Sequence, residues 1–242
     1  MSRYSWFQKK LHSLALSSQT MRESTFDLET SIFSNSISYE DHIFIAGLAR
    51  SGTTAILNAL YQSGEFASLS YQDMPFVLAP NFWSIFSSKK TLNPMDREHG
   101  DGIKISIESP EAFEEIFWKT FDDKDVNSKQ KFKTFVSNIT KKNKKLRYLS
   151  KNNQNIRRIS LIRNIFPNSK ILITYRDPLQ QSYSLLTQHQ LFIQKGHNDK
   201  FLSNYMKWIG HTEFGAHYSP IINEKLTYTD PLEINHWLEQ WS

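Results

Sequence analysis

One short stretch constrains this chain more than any other: an apolar run that breaks at a glycine and resumes with helical spacing. His42-Ile43-Phe44-Ile45-Ala46 reads as a buried strand ended by Gly47. After Gly52, Ala55, Ile56, Ala59 and Leu60 recur at helical intervals, and Gly64 is placed to cap the helix C-terminus. Gly47 to Thr54 therefore has the Gly-x-x-x-x-Gly frame of a phosphate-binding loop between strand and helix. The glycines let the backbone bend so that successive N–H groups point at an anion, at the positive end of the helix dipole. The triphosphate form of this loop carries Lys after the second glycine, to reach the β and γ phosphates. Thr53 stands there instead. The loop keeps the hydroxyls of Ser51, Thr53 and Thr54 and gains the charge of Arg50, which suits a single phosphate at the end of a nucleoside.

The rest of the chain alternates strands with helices. Ser68 to Tyr71 reads as a second strand, turned by Gln72-Asp73-Met74-Pro75. Ser109-Pro110-Glu111 has the cap, proline and acid of a helix start, predicting a helix to about Thr120. Residues 129–147 read as an interrupted helix, and Asn152 to Ile165 as a regular one, with Ile156, Ile159, Ile162 and Ile165 at helical spacing. Lys170 to Tyr175 is the strongest strand, apolar enough to be expected buried on both faces. Arg176-Asp177-Pro178 opens a helix to about Phe192. This order predicts an α/β fold of P-loop type, a three-layer α/β/α arrangement with a mostly parallel central sheet. At 242 residues it fits one domain, 1–242, with 1–41 a helical and loop extension including a loop at Ser34-Asn35-Ser36.

Composition removes several function classes. The chain has no cysteine, which excludes thiolate nucleophiles, disulfides and Cys-ligated zinc, and its histidines show no metal-ligand spacing. No metal is expected. No apolar run reaches the roughly 18 residues of a membrane span, and the N-terminus is too broken for a signal-peptide core. A cytoplasmic location is the expectation. The N-terminal segment reads as an amphipathic helix packed on the domain, with peripheral membrane contact as the alternative. Between Val126 and Arg176 there is no Asp or Glu, while fourteen of the 29 basic residues lie there. Such a block is either a solvated face or a field that draws anions.

A second loop lies at Tyr175-Arg176-Asp177-Pro178, again after a strand and opening a helix. Ser184 follows Arg176 by eight residues, about two helical turns, so both side chains can reach one phosphate. Arg-Ser-Gly-Thr-Thr after one strand, and Arg-Asp-Pro followed by Ser after another, resemble the two signatures of the sulfotransferase superfamily. Lys151-Asn152-Asn153 and the helix into Phe166-Pro167-Asn168-Ser169-Lys170 resemble the branch of protein-tyrosine and carbohydrate sulfotransferases. The likeness covers residues 42–75 and 147–192 and is loose between them. It implies that Arg50, Ser51, Gly52, Thr53 and Thr54 hold the 5′-phosphosulfate of 3′-phosphoadenosine 5′-phosphosulfate (PAPS), and that Arg176 and Ser184 hold its 3′-phosphate. It further implies Arg50 and Lys151 as cations around the transferring group, a nucleotide co-substrate and an acceptor such as a polysaccharide.

Sulfuryl transfer also needs a base for the acceptor proton. Asp73 sits where the resemblance puts a catalytic carboxylate, although turn formation accounts for it equally. His99, in Glu98-His99-Gly100-Asp101-Gly102, has a suitable pKa class and a polar turn, with Asp101 to orient it. Glu108 is a third candidate. Trp83, Phe86, Phe113, Trp118 and Trp208 are either core or stacking surfaces for an acceptor ring. The family's further donor-binding loop near the C-terminus has no counterpart here; the chain closes on an amphipathic Trp237-Leu238-Glu239-Gln240-Trp241-Ser242, which reads as an interrupted helix and suggests a truncated C-terminal part. Two other readings stay open: a P-loop kinase or NTPase, disfavoured by Thr53, and a non-catalytic module whose basic face binds a polyanion. No nucleic-acid motif is present.

Overall fold

The computed structural model describes residues 4–33, 41–87, 95–96, 102, 104–221 and 226–242. His99, Asp101 and the Ser34–Ser36 loop lie outside the described residues. The first half comprises α1 (Trp6–Ser17), α2 (Gln19–Phe33), β1 (Ile43–Ala46), α3 (Thr53–Tyr61), β2 (Phe66–Ala67), α4 (Pro80–Phe86), and the short pair β3 (Met95–Asp96) and β4 (Lys104–Ile105). The second comprises α5 (Glu115–Thr120), α6 (Ser128–Asn143), β5 (Arg147–Lys151), α7 (Ile159–Ile165), β6 (Lys170–Ile173), α8 (Pro178–Asn198), α9 (Lys200–Trp208) and α10 (Ile234–Trp241).

Four strands form one parallel sheet in the order β2-β5-β1-β6, so the fold is α/β as the alternation predicts. β1 alternates large side chains between two faces. Ile43 and Ile45 pack with Leu57 of α3, Phe66 and Leu149 on one side. Phe44 turns to the other, against Phe132 of α6, Tyr148 and Phe166. Apolar residues on both faces demand a helix layer on each, which gives the three layers. The second face carries the larger core, where Phe117, Phe132 and Phe135 are buried, and Leu16 of α1 and Phe26 of α2 complete it. Glu29 of α2 is buried and accepts from the N–H groups of Asn81 (3.0 Å) and Phe82 (2.9 Å), so a carboxylate caps the first turn of α4.

Five expectations are corrected. β6 is not buried on both faces: it pairs with β1 alone among the described strands, and Leu172 and Ile173 are 36% and 55% exposed. The helix expected from Ser109 starts only at Glu115, because Pro110 bridges Ser70 and the Glu111 N–H donates to the Leu69 carbonyl at 3.0 Å. A strand-like tertiary pairing outweighs the local cap signal there. The helix expected over 152–165 is split, because the Asn152 side chain accepts from the Gln154 N–H at 3.0 Å and starts a separate 3-10 turn, Asn153–Arg157. α6 runs without interruption to Asn143 and ends at Lys144 in the left-handed region. The second strand is shorter and earlier than Ser68–Tyr71.

Candidate active site

β1 is the point at which the sheet order reverses, with its neighbours β5 and β6 leading to opposite sides. In such sheets a crevice opens at the carboxyl end of that strand. The Gly47–Gly52 loop sits there. Gly47 has φ +141°, and a Cβ on it would lie 2.5 Å from the Thr174 carbonyl oxygen and 2.6 Å from its hydroxyl. The loop therefore presses against the chain leaving β6. The Ser51 hydroxyl donates to the Leu48 carbonyl (2.7 Å) and lies 2.6 Å from the Thr174 hydroxyl, which ties the loop to the strand. Arg50 is held at φ +69°. Gly52 is the N-cap of α3 at φ +94°, with no side chain capping the helix. Thr53 is buried at the first helical position.

In the second loop Asp177 caps α8, accepting from the Gln180 N–H at 2.9 Å. About two turns beyond that cap, Ser184 accepts a hydrogen bond from Arg50 Nε at 3.0 Å. Two segments 134 residues apart thus meet side chain to side chain. Arg176 is exposed and forks onto the Gln180 side-chain oxygen (3.2 and 3.0 Å). Lys151 closes β5 opposite Ile45 of β1, only 5% exposed, which places it beside the start of the loop.

Asp73 occupies a different setting. It is buried, accepts from the Ser70 N–H (2.8 Å) and hydroxyl (3.1 Å), and lies 2.5 Å from the Lys142 ammonium. Burial, and then the charges of Asp73 and Glu108, push the Tyr61 hydroxyl up. Phe113 and Trp118 belong to the core and offer no acceptor surface, whereas Phe86 is exposed. The basic block is spread over internal partners: Lys129 on Asn164, Lys131 over the Phe121 ring, Lys141 on the Phe33 carbonyl, Arg158 on Glu115 and Asp123, Arg163 on the Ser169 carbonyl.

Sequence reasoning missed three groups. Thr174 buttresses the loop. Gln181, buried on α8, donates to the Ala49 carbonyl at 3.0 Å and more weakly to that of Leu48 at 3.4 Å. Glu213 accepts from Asn153 Nδ2 at 3.0 Å and lies 2.6 Å from His211. Burial alone would push the Glu213 carboxyl up; His211, Lys151 and Asn153 outweigh it and hold it down to about 2. Glu213 and the loop residues Leu48 and Ala49 line one small cavity with Leu185, Tyr218 and Trp237. Only Thr174, next to the Tyr175-Arg176 signature, had a neighbour that drew attention in the sequence.

A parallel sheet with helices on both faces and a glycine-bounded loop at the carboxyl end of an inner strand defines the class as α/β, one in which ligands commonly sit at that end of the sheet. Within it, the chain belongs to the sulfotransferase family, whose profile matches residues 42–218. No curated protein matches it. Among solved structures, the crystal structure of sulfotransferase STF9 from Mycobacterium avium is similar, at 14% identity and a TM-score of 0.48, over 90% of this chain and 69% of that one. Among the described residues no group of three or more His, Asp or Glu is arranged to hold a metal ion, and no helix is long and apolar enough to cross a membrane.

Proposed function

We propose that this sulfotransferase takes its sulfuryl group from PAPS and passes it to a hydroxyl or amine of a carbohydrate, peptide or small-molecule acceptor. The observation that carries the reading is the Arg50–Ser184 hydrogen bond at 3.0 Å, which brings the two signature loops to one place. On this reading PAPS supplies a sulfuryl group on a phosphate leaving group. The loop from Arg50 to Thr54 orients that end through its N–H groups and hydroxyls, and Arg176 and Ser184 take the 3′-phosphate. Arg176 would leave Gln180 to do so, an exchange of one exposed hydrogen-bond partner for a stronger, charge-assisted one. Arg50 and Lys151 offset the charge that develops on the transferring group and the leaving phosphate, where positioned cations are worth most.

For the acceptor proton we keep Asp73 and His99 as candidates. The ion pair of Asp73 with Lys142 occupies the carboxylate, so Asp73 serves as a base only when Lys142 releases it. The decisive measurement is a thermal shift with adenosine 3′,5′-bisphosphate against ATP and AMP. Selective stabilisation by the bisphosphate, weakened in Arg50→Ala and in Ser184→Ala, is the expected result. Equal shifts from ATP, or none from any nucleotide, would overturn the PAPS reading.

A further inference from the structure

An anion-binding loop works only if its N–H groups face the ligand. Each N–H lies on the opposite side of its planar peptide from the preceding carbonyl. Whatever holds the carbonyls of residues 48 and 49 therefore aims the N–H groups of Ala49 and Arg50. The Leu48 carbonyl is already held from within the loop, by the Ser51 hydroxyl at 2.7 Å. The Ala49 carbonyl is held from outside, by the buried side-chain amide of Gln181 at 3.0 Å. This is the peptide that leads into Arg50, whose φ of +69° L side chains rarely adopt. The same amide reaches the Leu48 carbonyl at 3.4 Å.

A primary amide can be turned end for end, which would set its oxygen against both carbonyls. Here the orientation is fixed from the far side: the Trp241 indole N–H of α10 donates to the Gln181 oxygen at 3.2 Å. An indole N–H can only donate, so it selects the rotamer in which the NH₂ faces the loop. We infer that Gln181 is a positioning residue for the phosphate loop, oriented by Trp241, so that α10 and the donor site are energetically coupled. Gln181 lies on the same helix as Ser184, about one turn before it and just after Arg176 and the Asp177 cap, so α8 carries Ser184 towards the ligand and braces the loop through Gln181. The inference rests on the proposed donor site only for the identity of the ligand, and not for the geometry.

The test has two independent arms. In the first, affinity for adenosine 3′,5′-bisphosphate is measured by calorimetry well below the melting temperature. Gln181→Leu removes the donor at nearly equal volume, and Gln181→Glu sets a carboxylate against the two carbonyls. Each is expected to raise Kd about tenfold, and Trp241→Phe by a smaller factor of about three. Gln181→Leu combined with Trp241→Phe should match Gln181→Leu alone, because both act through one amide. Additive effects would overturn the link to α10. In the second arm, backbone amide resonances of residues 47–53 are followed without ligand. Broadened or doubled Arg50 signals in Gln181→Leu and Gln181→Glu support the positioning role. Unchanged Arg50 signals in a folded variant overturn it, whatever the nucleotide does. Wild-type protein that ignores the bisphosphate while its loop signals respond to Gln181→Leu would sink the donor reading and leave the positioning role standing.

Discussion

Two glycines bound the loop between β1 and α3, and the structure separates their duties. Both have positive φ, +141° at Gly47 and +94° at Gly52, yet a Cβ at Gly52 would meet nothing within 4 Å, whereas one at Gly47 would strike Thr174. Gly52→Ala therefore meets only backbone strain, about 1 to 2 kcal/mol. Gly47→Ala adds a clash with a backbone carbonyl, which cannot swing aside as a side chain can, and is expected to cost about 3 kcal/mol or more. Chemical denaturation of the two variants checks the order; an equal loss at both would mean that Thr174 yields. Asp73 is a second residue whose fate is set by its surroundings. Removing its charge as Asp73→Asn strands Lys142, whose side chain is only 11% exposed, and should lower stability by roughly 3 kcal/mol. Turnover measured well below the melting temperature then separates the roles: bisphosphate affinity unchanged with kcat reduced a hundredfold or more fits a base, and kcat unchanged leaves Asp73 as a structural ion pair.

At the scale of elements, strands and caps were legible where the signal was local and illegible where a neighbour decided. β1 and the turn after it follow from a short apolar run and two glycines, and α8 from Asp177-Pro178. Pro110 carried a helix-start pattern that lost to a bridge with Ser70, and no local pattern announces a bridge forty residues away. β6 is apolar enough for a central strand, but its place in the sheet order, invisible in its own residues, makes it an edge among the described strands. Caps remain the most transferable local signal. Asp199 ends α8 and starts α9, its carboxylate accepting from the N–H groups of Phe201 (2.9 Å) and Leu202 (3.2 Å). Asp199→Ala should cost about 1 kcal/mol, seen as a lower urea midpoint at constant m. A changed m would show instead that α9, which carries the buried Tyr205, has come away from the core.

Across the whole molecule, the sheet and the C-terminal segments are joined at a charged knot rather than by apolar packing alone. Glu213 comes from the segment after α9, Lys151 from the end of β5, Asn153 from the 3-10 turn that follows it, and His211 from two residues upstream of Glu213. The two loops stood out in the sequence because each is a run of adjacent residues; this knot did not, because its two halves, 151–153 and 211–213, lie about sixty positions apart and each residue is ordinary alone. It has a measurable consequence for pH. The Glu213 carboxyl sits at about 2 in the fold against an ordinary value of 4.5, so as pH falls the unfolded chain takes up this proton first. By linkage, the contribution of Glu213 is fully present above about pH 4.5 and is lost as pH falls from there towards 2. Glu213→Gln removes the titration and leaves Lys151 and His211 facing a neutral amide. The variant should therefore be less stable than wild type at pH 6, and the gap between their urea midpoints should narrow steadily below pH 4.5. A gap that stays constant down to pH 3 would mean that the carboxylate does not lock the C-terminal segment to the sheet. The charge beside Lys151 would then act on the site alone.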